Sequence, residues 1–87
     1  MSANYQILIE HRAQRELTRL SSEAAGRVTV AIDNLMSQPR PPGCKKLSGS
    51  QNEWRVRVGD YRILYEIDDR IRRVRIYAIG HRREIYR

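Results

Sequence analysis

The sequence predicts an α+β fold: an N-terminal strand, then an antiparallel two-helix hairpin, packed on an antiparallel sheet of about four strands. Three observations predict it. Apolar residues alternate near the start, recur at helical spacing from His11 to Met36, and return to period two from Trp54 almost to the end. Ser21-Ser22 divides the helical stretch. Gly59-Asp60 joins two strictly alternating segments. The 87 residues are read as a single domain, 1–87. A chain of this size buries only about 60% of its unfolded surface, which leaves room for one core and excludes two-domain enzymes, nucleotide-fold oxidoreductases and barrels.

Tyr5, Ile7 and Ile9 alternate with Gln6, Leu8 and Glu10, a short strand with one face more apolar. Ala13, Leu17 and Leu20 then recur at helical spacing, with Arg12 and Glu16 four apart on the outside. Ser21 and Ser22 offer an N-cap for a second helix, whose apolar stripe is Ala25, Val28, Ile32, Leu35 and Met36. Gly26 costs that helix about 1 kcal/mol relative to Ala. So short a break makes the two helices antiparallel. Residues 38–52 hold all three prolines, both lysines and the only cysteine, Cys44, and read as a long loop of the kind that often carries function.

Beyond the loop the turn dictates the register. Gly at the first central position suits a two-residue type II′ turn. Val58 then faces Tyr61, Arg57 faces Arg62, Val56 faces Ile63 and Trp54 faces Tyr65. One face carries Trp54, Val56, Val58, Tyr61, Ile63, Tyr65 and Ile67, enough apolar surface to pack on the helices. The other carries Arg55, Arg57, Arg62, Leu64 and Glu66. Like charges directly opposite destabilise a sheet pair, so Arg57 across from Arg62 makes sense if an anion sits over that face. The bland alternative is a solvated face with splayed arginines. A further turn at Asp68-Asp69-Arg70 leads to a last strand, 72–79, in which both phases are partly apolar and neither is assigned inward. Gly80 permits a bend that redirects the polar tail, His81 to Arg87.

The formal charge is +7, and fifteen of the seventeen basic residues are arginine. Arg presents a planar fork of donors suited to phosphate, so the balance points to a polyanion, with nucleic acid foremost. A lone cysteine makes neither an internal disulfide nor a zinc site, and with no long apolar run or signal-like start the expectation is a cytoplasmic chain with no membrane partner. No glycine-rich phosphate loop, metal-ligand cluster or nucleophile elbow is present, so no cofactor and no metal is expected.

Arg, His and Tyr without a carboxylate pair suit phosphodiester chemistry better than glycoside or peptide hydrolysis. RNA carries its own nucleophile, the 2′-hydroxyl. A metal-independent ribonuclease must orient it, stabilise charge on the phosphorane and protonate the leaving 5′-oxygen. Arginines supply the charge but stay protonated. Proton transfer falls to His81, Tyr86, Lys45, Lys46 or a carboxylate such as Glu84, and His81 has the best ordinary pKa for it. Lys45 and Lys46 are either solvated loop charge or a phosphate contact. His11 reads as a cap-region or surface residue. Tyr5, Trp54, Tyr61 and Tyr65 read as core, since all fall on the apolar phase and Phe is absent.

Three stretches resemble the RelE branch of the RelE/ParE toxins: Pro39 to Leu47, the hairpin Trp54 to Ile67, and Ile79-Gly80-His81-Arg82-Arg83-Glu84-Ile85-Tyr86. The resemblance spans essentially the whole chain; the hairpin and the terminal stretch are its specific parts. It implies a RelE-like microbial ribonuclease fold and a type II toxin that enters the ribosomal A site and cuts the mRNA codon there. The products would carry a 2′,3′-cyclic phosphate and a 5′-hydroxyl. It also implies a cognate antitoxin that neutralises the toxin, with the pair repressing their own operon. The family's basic positions on the first hairpin strand fall on Arg55 and Arg57, and its phosphate-stabilising arginine on Arg62. A second catalytic arginine falls on Arg82 and the terminal tyrosine on Tyr86. Well-known members carry lysines where Arg55 and Arg57 stand. A related branch pairs a loop glutamate with a terminal histidine; here the loop holds no carboxylate, while His81 matches the histidine.

The site expected from the sequence is therefore Arg57, Arg62 and Arg82 on the phosphate, His81 or Tyr86 for the proton transfers, and Arg55, Lys45, Lys46 and Arg83 along the RNA. Two alternatives stand beside it. One is a ParE-like poison of DNA gyrase, which has no need of converging Arg62, Arg82 and Tyr86. The other is a non-catalytic module whose arginines grip an acidic antitoxin.

Overall fold

The computed structural model describes residues 4–81. The elements follow the order β1 (Gln6–Ile9), α1 (His11–Thr18), α2 (Ser22–Asn34), β2 (Lys45–Lys46), β3 (Glu53–Val58), β4 (Tyr61–Asp68) and β5 (Arg73–His81). They form one five-stranded sheet in the order β1-β5-β4-β3-β2, with both helices on one face. Two details differ from the expected antiparallel sheet of about four strands. The crossover through the helices returns β1 to the far edge, parallel to β5, so the sheet is mixed. At the other edge Lys45-Lys46 pairs with Trp54-Arg55 as a strand too short for any periodicity to announce.

Each helix starts and packs for a local reason. Ser21 is extended, and its side-chain oxygen accepts the Ala24 N–H at 3.2 Å, which caps α2. The buried stripe of α2 is Ala24, Val28, Ile32 and Leu35. Ala25 is half-buried, and Met36 lies past the helix end at 38% exposed, where its carbonyl accepts the Tyr5 N–H. Val28, Ile32 and Leu35 of the expected stripe are thus buried, while Ala24 takes the place of Ala25 and Met36 drops out, because spacings of four, four and three from Ala24 keep one side of the helix on the sheet. Ala13, Leu17 and Leu20 bring α1 to the same core, against Ile63, Tyr65, Ile67, Val74, Ile76 and Ile79.

The β3–β4 hairpin has the expected register at every position, from Trp54 opposite Tyr65 to Val58 opposite Tyr61. Gly59 has φ of +61°, while Asp60 is not among the positive-φ residues, as a type II′ turn requires. The last strand resolves its ambiguity with a bulge. Tyr65 pairs with Ile76 and Leu64 with Ala78, so Tyr77 is an extra residue with no partner. Val74 and Ile76 face the helices before the bulge, and Ile79 faces them after it. Neither phase is inward throughout.

Candidate nucleic-acid interface

The sheet face away from the helices is built in rows by the register. Arg57, Arg62 and Gly80 lie side by side on β3, β4 and β5. The next row is Lys45, Arg55, Leu64 and Ala78. A third row holds Glu53, Glu66 and Arg75. Leu64 and Ala78 of the second row, with Leu47 and Tyr77 packed against them, form an apolar strip in the middle of the face.

Charge is balanced at one end of this face and not at the other. Arg75 pairs with Glu66 at 3.1 Å and with Glu10, and its guanidinium lies over the Tyr77 ring. The Tyr77 hydroxyl donates to Glu53 at 2.6 Å. Burial, and then that bond, push the Tyr77 phenol well above its ordinary pKa, so it stays protonated. Arg62, by contrast, is 8% exposed and makes no ion pair among the described residues. One terminal nitrogen donates to the Tyr61 carbonyl at 3.4 Å, and the buried Nε has no acceptor. A buried charge without a counter-charge is expensive. Arg57, directly opposite and exposed, adds a second cation in place of a carboxylate.

Arg55 repeats the pattern one row away. It is half-buried, and its Nε and one terminal nitrogen are shielded without a partner. Beside it opens a cleft of about 250 Å³ between Pro42-Gly43, Lys45 and Arg57. The loop that forms its wall is pinned from behind. Arg40 pairs with Asp69 at 2.9 Å and lies over the Trp54 ring at 5.1 Å. Tyr5 donates to the same carboxylate at 2.5 Å, and Tyr65 donates to the Pro39 carbonyl at 2.8 Å. Gly43, at φ of +89°, makes the turn that brings the chain into β2.

The structure brings together Arg55, Arg57, Arg62 and Lys45 and separates two other expected site residues. Lys46 pairs with Trp54, whose ring packs against the helix-side core, so Lys46 alternates to that face. His81 pairs with Tyr61 and meets its ring edge-to-face at 5.9 Å, also on the helix side. Its neighbours there are Arg12 and Glu16 of α1 and Arg19 just past the helix end, not Arg62. Arg82, Arg83 and Tyr86 lie outside the described residues. Glu16, which the sequence placed on the outside of α1, accepts the Ile79 N–H at 2.9 Å and joins the helix to the end of β5. Only the four-residue spacing to Arg12, an observed ion pair at 3.4 Å, marked it. Among the described residues no group of three or more His, Cys, Asp or Glu stands together, and no helix is long and apolar enough to cross a membrane.

Comparison with known proteins places this arrangement. The family model for the ParE toxin of the type II toxin-antitoxin system parDE matches residues 7–86. The toxin RelE of Mycobacterium tuberculosis is 34% identical over 84 residues, covering 95% of this chain and 87% of that protein. The chain belongs to the RelE/ParE family of toxins, in its RelE branch. Solved RelE-branch structures agree. A chain of the archaeal RelE–RelB complex from Pyrococcus horikoshii OT3 is 25% identical, with a TM-score of 0.82 over 97% of this chain and 99% of that one. A chain of the M. tuberculosis toxin–antitoxin complex RelBE2 is 28% identical, with a TM-score of 0.80 over 90% and 98%. The family's fold is therefore the frame on which this basic face is built.

Proposed function

We propose that this RelE-branch toxin is a ribosome-dependent endoribonuclease that cuts mRNA in the A site, held in check by a cognate antitoxin. The observation that carries the reading is Arg62, a buried cation with no carboxylate partner among the described residues, facing Arg57 across the hairpin. An anion between them offsets both the desolvation of Arg62 and the repulsion from Arg57. A phosphodiester is the anion that the family's chemistry supplies. Attack of the 2′-oxygen on phosphorus breaks the bond to the 5′-oxygen. The 2′-proton leaves to a base, and a proton is returned to the 5′-oxygen. The products are a 2′,3′-cyclic phosphate and a 5′-hydroxyl, and no metal ion enters the scheme. Arg57 and Arg62 hold the non-bridging oxygens where negative charge builds up, and the burial of Arg62 makes its share of that stabilisation effective. Arg55 and Lys45, along the adjoining cleft, take the neighbouring phosphate.

The proton transfers are assigned beyond β5. Tyr65 and Tyr77 are committed to internal hydrogen bonds and held protonated. His81 stands on the far face from Arg62. Arg82 and Tyr86, on which the family resemblance places catalytic roles, follow directly in the chain and complete the proposed site, with Arg83 along the RNA. The test is to express the chain in a translation extract and map mRNA ends on stalled ribosomes, with and without Arg62→Ala. Cuts within A-site codons that disappear in the variant support the reading; intact cleavage by Arg62→Ala removes its basis.

A gyrase poison is the second reading, favoured by the ParE description of the matching family model. It predicts growth arrest with gyrase-linked DNA breaks and no A-site cuts, so the same extract and a plasmid-linearisation assay separate the two. The antitoxin complexes of the relatives support an antitoxin partner under either reading.

A further inference from the structure

A cleft lined by residues of α1, β4 and β5 lies on the other side of the sheet from Arg62. It measures about 390 Å³ and runs between α1 and the end of β4–β5, with Tyr61 and His81 as one wall and Leu20 and Arg19 as another. We infer that this cleft is a nucleotide pocket, taking the base of an RNA residue next to the phosphate bound at Arg57 and Arg62. The inference rests on the proposed ribonuclease reading for that phosphate and adds a second, separate contact.

Four observations carry it. The volume falls in the lower part of the range for small-ligand clefts, about 300–1,000 Å³, which suits a single nucleotide. Tyr61 and His81 stand at 84° to each other, so a flat ring meets a face to stack on and an edge to abut, while Leu20 supplies an apolar side. The carboxylate in the cleft is already neutralised, because Glu16 is engaged by Arg12 and by the Ile79 N–H. It therefore presents little charge to repel a phosphate.

Arg19, in contrast, forms no ion pair among the described residues, although Arg27, Arg40, Arg70 and Arg75 each have a carboxylate. The cleft is thus an aromatic slot with one spare guanidinium at its rim, the pairing that single-stranded RNA uses for base and phosphate.

Placement adds the link between the two sites. Gly80 pairs with Arg62 and also lines the cleft, so a single residue of β5 separates the phosphate face from the slot. The two contacts of the proposed RNA strand thus adjoin at Gly80.

The experiment is an NMR titration of the full-length chain, labelled so that the Tyr61 and His81 rings and the Arg57, Arg62 and Arg19 side chains are resolved. The probes are inorganic phosphate and a 2′-O-methyl uridine trinucleotide, which lacks the free nucleophile and stays intact. Phosphate is expected to move Arg57 and Arg62 and leave the Tyr61 and His81 rings in place; the trinucleotide is expected to move all four. Arg19→Ala should weaken the trinucleotide about tenfold and leave phosphate unchanged, with Arg19→Lys restoring part of the loss.

A trinucleotide that moves Arg62 without touching Tyr61 and His81 overturns the pocket. So does a cleft that responds to the antitoxin and not to RNA, since its occupant is then protein. If the rings move while Arg62 does not, the phosphate reading fails and the slot stands as an RNA contact in its own right. If nothing moves, both fall.

Discussion

Replacing Arg62 with Met should make the chain more stable and less able to hold an anion. Arg62 is buried, and its Nε has no acceptor. An unpaired buried polar group costs about 1–3 kcal/mol. Arg57 directly opposite adds repulsion of a few tenths of a kcal/mol. Against this stands the bond from Arg62 to the Tyr61 carbonyl, long at 3.4 Å. Its loss costs about 1 kcal/mol at most. Met is unbranched, of similar length and apolar, and at this position it shares a face with the buried Leu64. The net gain is about 1 kcal/mol, which for a domain of this size raises Tm by about 4–8 °C. Thermal melts in chloride buffer give that difference directly.

The same melts with added phosphate give the second half. An anion that binds only the folded state stabilises it by RT ln(1 + [L]/Kd). Unsubstituted chain should gain more from phosphate than Arg62→Met does, and comparing the two cancels the general effect of the salt on burial. A fall in Tm on substitution, or an equal phosphate response from both proteins, would refute the account of Arg62 as an anion site held at a cost to stability.

Three further outcomes are expected. Gly26 lies in the interior of α2 with nothing within 4 Å of the position a Cβ would take, so Gly26→Ala should raise stability by about 0.5–1 kcal/mol in a denaturant melt. Lys45 shares a face with Arg55 and Lys46 does not, so Lys45→Ala should weaken RNA binding and flatten its salt dependence, while Lys46→Ala changes neither. The hydrogen bond from Arg40, and then that from Tyr5, hold the Asp69 carboxyl below its ordinary value of 3.8. A lowered folded-state pKa contributes stability that is present above the unfolded value and lost as pH falls through the folded one. Asp69→Asn should therefore flatten the stability profile below about pH 4, leaving the slope near neutrality untouched, as melts in a pH series would report.

The hairpin was legible in the sequence because two constraints agree there. Gly59-Asp60 admits one turn type, and strict alternation on both sides leaves one register compatible with a buried face. Arg57 opposite Arg62 follows from that turn and register alone. The α2 stripe was legible to within one residue, since Ala24 and Ala25 are the same letter at adjacent positions. The last strand was not, because Arg73, Arg75, Tyr77 and Ile79 are apolar enough in part to compete with Val74, Ile76 and Ala78. Counting by twos from Val74 puts His81 on the arginine face; the bulge at Tyr77 puts it behind. His81 was grouped with Arg62 for its chemistry, and that one unpaired residue separates the two in space. The role of Glu16 in holding Ile79 was hidden for a different reason: the contact is 63 residues away in sequence.

The bulge also decides where the gene can change length. Within β5, inserting or deleting one residue at a paired position turns every following side chain to the opposite face. Tyr77 is the exception. It opposes nothing on β4, so removing it leaves Ile76 opposite Tyr65 and Ala78 opposite Leu64, with Ile79 still inward and Gly80 still beside Arg62. What is lost is the hydroxyl that holds Glu53 across the sheet and the ring beneath Arg75. The final strand thus has one position at which a codon can be gained or lost while the arrangement of the arginine face and the core survives. Relatives that differ by one residue before the terminal Gly-His pair are expected to differ there.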